Sequence, residues 1–323
     1  MNTTGVTRYA PRWLALREAA DAAARASELL QPLRRQLPVP GAPLAVRDRR
    51  TGPLVVRDLG SGTGSMGRWL APRLGGRQHW ILHDHDSALL GIAAARLPRR
   101  TADGSAVTVA TEQGDISRLT AGRLLGTSLV TASALLDLLS EEDLNGLAAA
   151  CAEAGCPALL TLSVVGRVEL GPVDSMDAEI MDAFNAHQRR EERGRPLLGP
   201  DAVTTAARAF ARAGMQVRIH ASPWLLTTGP EGASDTGTLR DSPAFSDTDW
   251  SGAGALPAHA SRALTAEWLR GWVGAAREQR PNLAPRADAY LRRRLEACQA
   301  GELRVTVHHG DLLALPRTAG GAP

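Results

Sequence analysis

The chain of 323 residues has no lysine: all 37 of its basic residues are arginine. That absence removes several kinds of chemistry. A P-loop hydrolase and a protein kinase each place a lysine on phosphate, and a pyridoxal or other Schiff-base enzyme needs a lysine amine. Cysteine is nearly as scarce. Cys151, Cys156 and Cys298 are too few and too poorly spaced for a disulfide framework or a tetrahedral zinc site, so they read as packing residues. Aromatic residues make up 4% of the chain and the net charge is only +3, with the arginines scattered among Asp and Glu. The dense basic run or basic-plus-aromatic stripe that nucleic-acid tracking demands is missing, so nucleic acid is not the expected partner. No apolar run approaches the roughly 20 residues of a membrane span, and the N-terminus lacks the apolar segment of a secretion signal. A cytoplasmic protein without a membrane partner is the expectation, and 44% hydrophobic residues are enough for one large domain or a core domain with elaborations.

Against these absences stands one pattern. From Leu54 to Gly67 the sequence LVVRDLGSGTGSMG runs an apolar strand straight into a glycine-rich turn and then a helix. Gly60, Gly62 and Gly64 let the chain turn sharply and let its backbone approach a ligand closely, while the following helix points free N–H groups at it. Such a turn cradles an adenosine-bearing cofactor. The stretch Gly62 to Gly67 also satisfies the dinucleotide fingerprint, so the glycines alone do not choose the cofactor. The next strand, Trp80 to Asp84, ends in an acid about where a ribose-binding carboxylate is expected, roughly twenty residues on. A third strand, Val107 to Thr111, leads to Asp115 and Ile116, and a fourth, Ser128 to Ala132, leads to Ser133 and Asp137. Carboxylates therefore sit at the ends of successive strands.

Taken together, residues 53–165 resemble the class I S-adenosylmethionine-dependent methyltransferases. The resemblance implies a doubly wound, Rossmann-like α/β fold: a seven-stranded sheet, mostly parallel, with an antiparallel last strand inserted between the fifth and sixth. It also implies that Asp58, Gly60, Ser61, Gly62 and Gly64 hold the methionine part of S-adenosyl-L-methionine and that Asp84 takes the ribose hydroxyls. Asp115 and Ile116 would flank the adenine, and Ser133 would lie beside the methyl group. His85, next to Asp84, would line the adenosine. This cofactor carries no phosphate and is a sulfonium cation, so an acidic, lysine-free pocket suits it. The SALLD stretch from Ser133 to Asp137, with Phe184 to Arg189, is similar to a bacterial subgroup without an assigned substrate.

Four functional readings remain open: a methyltransferase acting on a small molecule at oxygen or nitrogen, an RNA methyltransferase, a NAD-dependent oxidoreductase of the same fold, and a non-catalytic module that binds S-adenosylmethionine. Asp58 weighs against the oxidoreductase, because a dinucleotide site usually has an apolar residue two positions before the first glycine. For the methyl acceptor, His187 is the candidate general base, since its ordinary pKa lies near neutrality. Asp137 could orient the acceptor. Asn185, Arg189 and Arg190 lie near His187 and could meet an anionic acceptor. His83-Asp84-His85-Asp86 and His308-His309-Gly-Asp311 invite a metal reading that lacks further partners in the sequence, so no metal is expected.

Periodicity places an amphipathic helix over 11–31, with Trp13, Leu16, Ala20, Ala23, Ser27 and Leu30 on one stripe, followed by a Pro-rich linker to Pro53. Residues 1–52 then form a helical extension and 53–323 the catalytic domain. Residues 229–260 lack periodicity and read as a flexible insertion, flanked by helices over 174–193, 200–213, 262–277 and 285–300. Leu303 to His308 makes the last strand.

Overall fold

A computed structural model describes residues 10–37, 52–116, 119–192, 194–229 and 257–317. Most of the 229–260 stretch therefore lies outside the described residues, while Ala258 to Ala260 already belong to a helix.

Strands β1 (Leu54–Leu59), β2 (Gln78–Asp84), β3 (Val107–Gln113), β4 (Leu129–Ser133) and β5 (Ala158–Gly171) lie in the order β3-β2-β1-β4-β5, all parallel. The last strand, β10 (Arg304–Leu315), runs antiparallel between β5 and β8 (Gln216–Ala221). The sheet has eight strands rather than seven, because the expected sixth strand breaks at Ser222 and Pro223. Its second half, β9 (Trp224–Thr227), continues along the same edge and pairs with the first half of β10. A separate two-stranded ribbon joins β6 (Glu191–Glu192) to β7 (Arg195–Pro196). Both β5 and β10 are longer than their hydrophobic runs suggest. Gly166, with a left-handed φ of 76°, sits inside β5, which pairs with β10 from Ala158 to Gly171.

Helices cover both faces. On one side α2 (Leu30–Gln36), α3 (Ser65–Leu70) and α4 (Ser87–Arg96) bury Leu33, Leu70 and Leu90 against Val56, Trp80 and Leu82. On the other, α5 (Ala121–Leu124), α6 (Glu141–Glu153) and α8 (Ala202–Arg212) bury Leu124, Leu144 and Phe210 against Val130 and Leu160. A third core packs α7 (Asp177–Gln188), α9 (Ala258–Gln279) and α10 (Ala284–Ala300) over β9 and the first half of β10. The starts of these helices are set chemically. Ser140 and Asp143 form a reciprocal capping box on α6, and the Asp86 carboxylate caps α4. All three cysteines are buried as free thiols.

The N-terminal segment is part of these cores. The expected single helix is broken: α1 (Pro11–Ala24) ends at Arg25, and a short 3-10 turn over Ser27–Leu29 leads into α2. The break has a cause in the far end of the chain, since the Ala26 N–H donates to Asp311 Oδ2 at 2.9 Å. Residues expected to be linker thus form α2, whose Leu33 is fully buried and contributes about 1.5–3 kcal/mol.

Candidate functional site

The strand order reverses at β1, which lies between β2 and β4, and there a cleft of about 430 Å³ opens outside the carboxyl ends of the strands. One half is built by the tips of β1 to β4. Gly60, Gly62 and Gly64 have φ of 60°, 52° and 84°, a region other residues avoid. A Cβ on Gly60 would stand 2.8 Å from Leu135 Cδ1, and one on Gly62 would meet Leu14 of α1 at 3.2 Å. The turn is closed by Ser61 N–H donating to the His83 carbonyl at 3.0 Å and by Gly64 N–H donating to the Ser61 carbonyl at 2.8 Å.

Three carboxylates face this half. Asp84 Oδ2 accepts from the Gly62 N–H at 2.8 Å, which ties the end of β2 to the turn, and Oδ1 accepts from the Asp86 N–H at 3.0 Å. The His85 ring lies 3.2 Å from that carboxylate on the cleft wall. Asp115 and Ile116 form the rim beyond β3. Asp58 is buried, and its Oδ1 accepts from Thr131 Oγ1 at 2.7 Å while Oδ2 has no partner. Burial pushes its carboxyl up to about 7.

Beside Asp58 stands a residue the sequence did not single out. Arg25, 4% exposed, donates from Nη2 to Ser133 Oγ at 3.0 Å and to Ser65 Oγ at 3.2 Å, both on the cleft wall. Its Nε and Nη1 are buried without partners. Burial pulls the guanidinium below its ordinary pKa, opposed by Asp21, Asp311 and Asp58. A basic residue at the end of an amphipathic helix carries no local signal for this role. Only the fold brings Arg25 to Ser133, 108 positions away.

The other half is walled by α1, α7, α9, β9 and β10. Trp13, Arg17 and Asp21 of α1, spaced four apart, share one helix face. The Arg17 guanidinium lies 4.8 Å from the Trp224 ring centroid and pairs with Asp21 at 2.9 Å, while Trp224 Nε1 donates to Asp21 at 3.1 Å. Val307, His308 and His309 all reach the cleft although neighbours in a strand normally alternate sides. A bulge against β5 at His308 breaks the alternation. His309 packs on Trp224 at 5.2 Å, its Nδ1 is buried without a partner, and burial lowers its pKa to about 3, leaving a neutral ring. Asp137, on the turn after β4, lines the cleft, and burial raises its pKa.

All the cofactor residues expected from the sequence line this single cleft except Gly64, which lies one step behind the wall. His187 does not line it. Phe184, Asn185 and Gln188 supply the cleft face of α7, whereas His187 Nε2 turns to Glu278 of α9 at 3.9 Å. Arg189 is equally diverted, forked onto Asp201 at 2.6 and 3.0 Å, and Arg190 pairs with Glu192. Asn185 Nδ2 donates to the Gly166 carbonyl at 2.7 Å. Among the described residues no three His, Cys, Asp or Glu side chains converge on a common point, at either histidine grouping or elsewhere. Asp311 lies within β10, not after it, and its carboxylate accepts from the N–H groups of Leu162 and Ala26 and from Ser222 Oγ. Among the described residues no helix is long and apolar enough to cross a membrane.

No family model matches the chain, and no curated protein matches it. Solved structures with a similar fold include a Haemonchus contortus N-methyltransferase in complex with phosphomonomethylethanolamine and S-adenosylhomocysteine (13% identity, 97% of this chain, TM-score 0.41). The present chain spans 59% of the length of that enzyme. Others are S-adenosylmethionine-dependent methyltransferases from Thiobacillus denitrificans (15% identity, 96% of this chain and 100% of that one, TM-score 0.41) and Geobacter sulfurreducens (15% identity, 95% and 99%, TM-score 0.40), each in complex with S-adenosylhomocysteine. By its strand order and glycine turn the chain is a Rossmann-like α/β protein with one acidic cleft at the switch point of its sheet.

Proposed function

We propose that the protein is an S-adenosyl-L-methionine-dependent methyltransferase acting on a small molecule at oxygen or nitrogen. The observation that carries this reading is the pair of opposite, buried and unpartnered groups beside the glycine turn, Asp58 Oδ2 and the Nε and Nη1 of Arg25. Unsatisfied buried charge costs several kcal/mol, so a ligand that completes both groups is strongly selected. An α-amino acid would do so, its ammonium meeting Asp58 on the cleft wall and its carboxylate meeting Arg25, which stands one layer behind Ser65 and Ser133. The glycines would accept the chain of that amino acid without a colliding Cβ. Asp84 retains acceptor capacity for the ribose hydroxyls, and Asp115 with Ile116 would hold the adenine. A dinucleotide instead brings a pyrophosphate to this turn, next to Asp58, where a carboxylate is unfavourable.

When bound, the cofactor supplies a methyl group on a sulfonium, open to direct displacement. The chain's own residues then have three tasks: to align the acceptor, to exclude water and to take a proton from it. Asp137, whose pKa burial raises and which lies on the cleft wall, would serve the last task. Calorimetry with S-adenosylhomocysteine and with NAD tests the reading. Binding of S-adenosylhomocysteine with no NAD binding is expected, and the reverse result overturns it.

A further inference from the structure

Resting on that reading, we infer that the methyl acceptor is a flat, uncharged aromatic molecule bearing a hydroxyl, and that Asp137 takes the hydroxyl proton as the methyl is transferred.

The chain has only seven Trp, two Tyr and three Phe, yet Trp13, Trp224, Trp268 and Phe184 all reach one half of the cleft, from four different elements. His309, held neutral, adds a fifth ring against Trp224. Ring walls gathered in a chain this poor in rings favour a planar apolar guest, because stacked and edge-on pairs add to the gain from burial.

The charges on the same walls say what the guest lacks. Each arginine there already contacts an acid: Arg17 holds Asp21 at 2.9 Å, Arg167 holds Glu169 at 2.5 Å and Arg195 holds Asp143 at 2.8 Å. His308 also meets Glu169, at 3.1 Å. A carboxylate or phosphate on the acceptor would have to share its guanidinium with an acid already seated on it, against like-charge repulsion. A cationic acceptor meets the opposite difficulty, since it would face the Arg17 guanidinium on the same wall and the sulfonium nearby. Asp137 differs from the other acids on this wall in having no ion pair with an arginine or histidine within 4.0 Å among the described residues. Raised by burial, it suits the receipt of a proton from a hydroxyl. In the step the acceptor O–H bond breaks toward Asp137, the oxygen lone pair forms the O–C bond, and the C–S bond breaks with its electrons left on sulfur. The products are a methyl ether, S-adenosylhomocysteine and a protonated Asp137.

The test uses three bicyclic probes of one shape, naphthol, naphthoate and naphthylmethylamine, titrated into protein saturated with S-adenosylhomocysteine, followed by labelled-methyl transfer from S-adenosylmethionine. Naphthol is expected to bind at least about tenfold more tightly than either charged probe and to be methylated. The isosteric Asp137→Asn should lower that transfer by roughly 10²–10⁴-fold and leave naphthol binding within about threefold. Trp13→Ala, at a half-buried position, should weaken naphthol and leave S-adenosylhomocysteine binding unchanged. Preference for naphthoate or naphthylmethylamine, absence of ring binding to the loaded protein, or full transfer by Asp137→Asn overturns the acceptor assignment alone. Failure of S-adenosylhomocysteine to bind at the start overturns the underlying cofactor reading and this one with it.

Discussion

Replacing Arg25 with methionine isolates the claim that the cleft receives an amino acid. The Arg25 guanidinium carbon lies 5.5 Å from the Trp69 ring centroid, and methionine keeps an unbranched apolar stem at this buried position while removing every donor and that cation–ring contact. Two nitrogens, Nε and Nη1, are buried without partners one layer behind the Ser65 and Ser133 hydroxyls of the cleft wall, and a carboxylate that parts those hydroxyls would reach them. Hydrogen bonds to a charged group are worth about 1.5–3 kcal/mol each, and part of the gain is lost in orienting the ligand. A net loss of about 2–4 kcal/mol, or roughly 30- to 1,000-fold in Kd, is therefore expected for S-adenosylhomocysteine. Methylthioadenosine, the same nucleoside without the amino acid, should bind the variant within about threefold of the parent, because it never reaches Arg25. Titration calorimetry of both ligands against both proteins reads the difference directly. Arg25→Lys, which retains charge and loses the fork, should fall between and serves if the methionine variant is poorly folded. Equal losses for the two ligands, or no loss for either, would refute the amino-acid receptor.

Four further outcomes follow from the structure. Asp58, held up to about 7 by burial, is mostly protonated at pH 6 in the free protein, and an ammonium beside it favours the carboxylate. Binding of S-adenosylhomocysteine at pH 6 should thus release most of one proton, seen as a dependence of the calorimetric heat on buffer ionisation enthalpy and absent in Asp58→Asn. The same shift acts on stability with a fixed sign. A carboxyl whose folded pKa is raised stabilises fully below its unfolded value near 4, and that contribution is lost as pH rises through about 7, so the melting temperature of the free protein should drop across this window and flatten in Asp58→Asn. Gly60→Ala should cost about 1–2 kcal/mol for its left-handed backbone and further for the 2.8 Å approach to Leu135, and should weaken S-adenosylhomocysteine binding; unchanged affinity would remove Gly60 from the cradle. Asp311→Ala leaves the Leu162 and Ala26 N–H groups and Ser222 Oγ without their acceptor, and chemical denaturation should show a loss of about 3–5 kcal/mol.

The two halves of the cleft differ in how far the sequence reveals them, and the difference is physical. The cofactor half is assembled from residues at the last positions of strands or just beyond them, Asp58 to Gly62, Asp84 and His85, Asp115 and Ile116, and Ser133. Each is announced by a local change from apolar run to glycine or acid, and parallel pairing then aligns the tips: Asp58 lies opposite Leu82 and Thr131, and Ser133 opposite Thr161. The acceptor half has no such local grammar. Trp13, Phe184, Trp224, Trp268 and His309 meet only because β10 returns antiparallel beside β5 and because its bulge at His308 turns consecutive side chains the same way. A period of two cannot locate a bulge. The same limit explains His187, since helical periodicity ranks the faces of α7 but the side that meets the cleft is set by packing against α9. It explains the break between α1 and α2 as well, whose anchoring bond joins residues 285 positions apart. Residue types chosen for chemistry at strand ends are thus legible one strand at a time, whereas the acceptor wall becomes readable only once the topology of β10 is known.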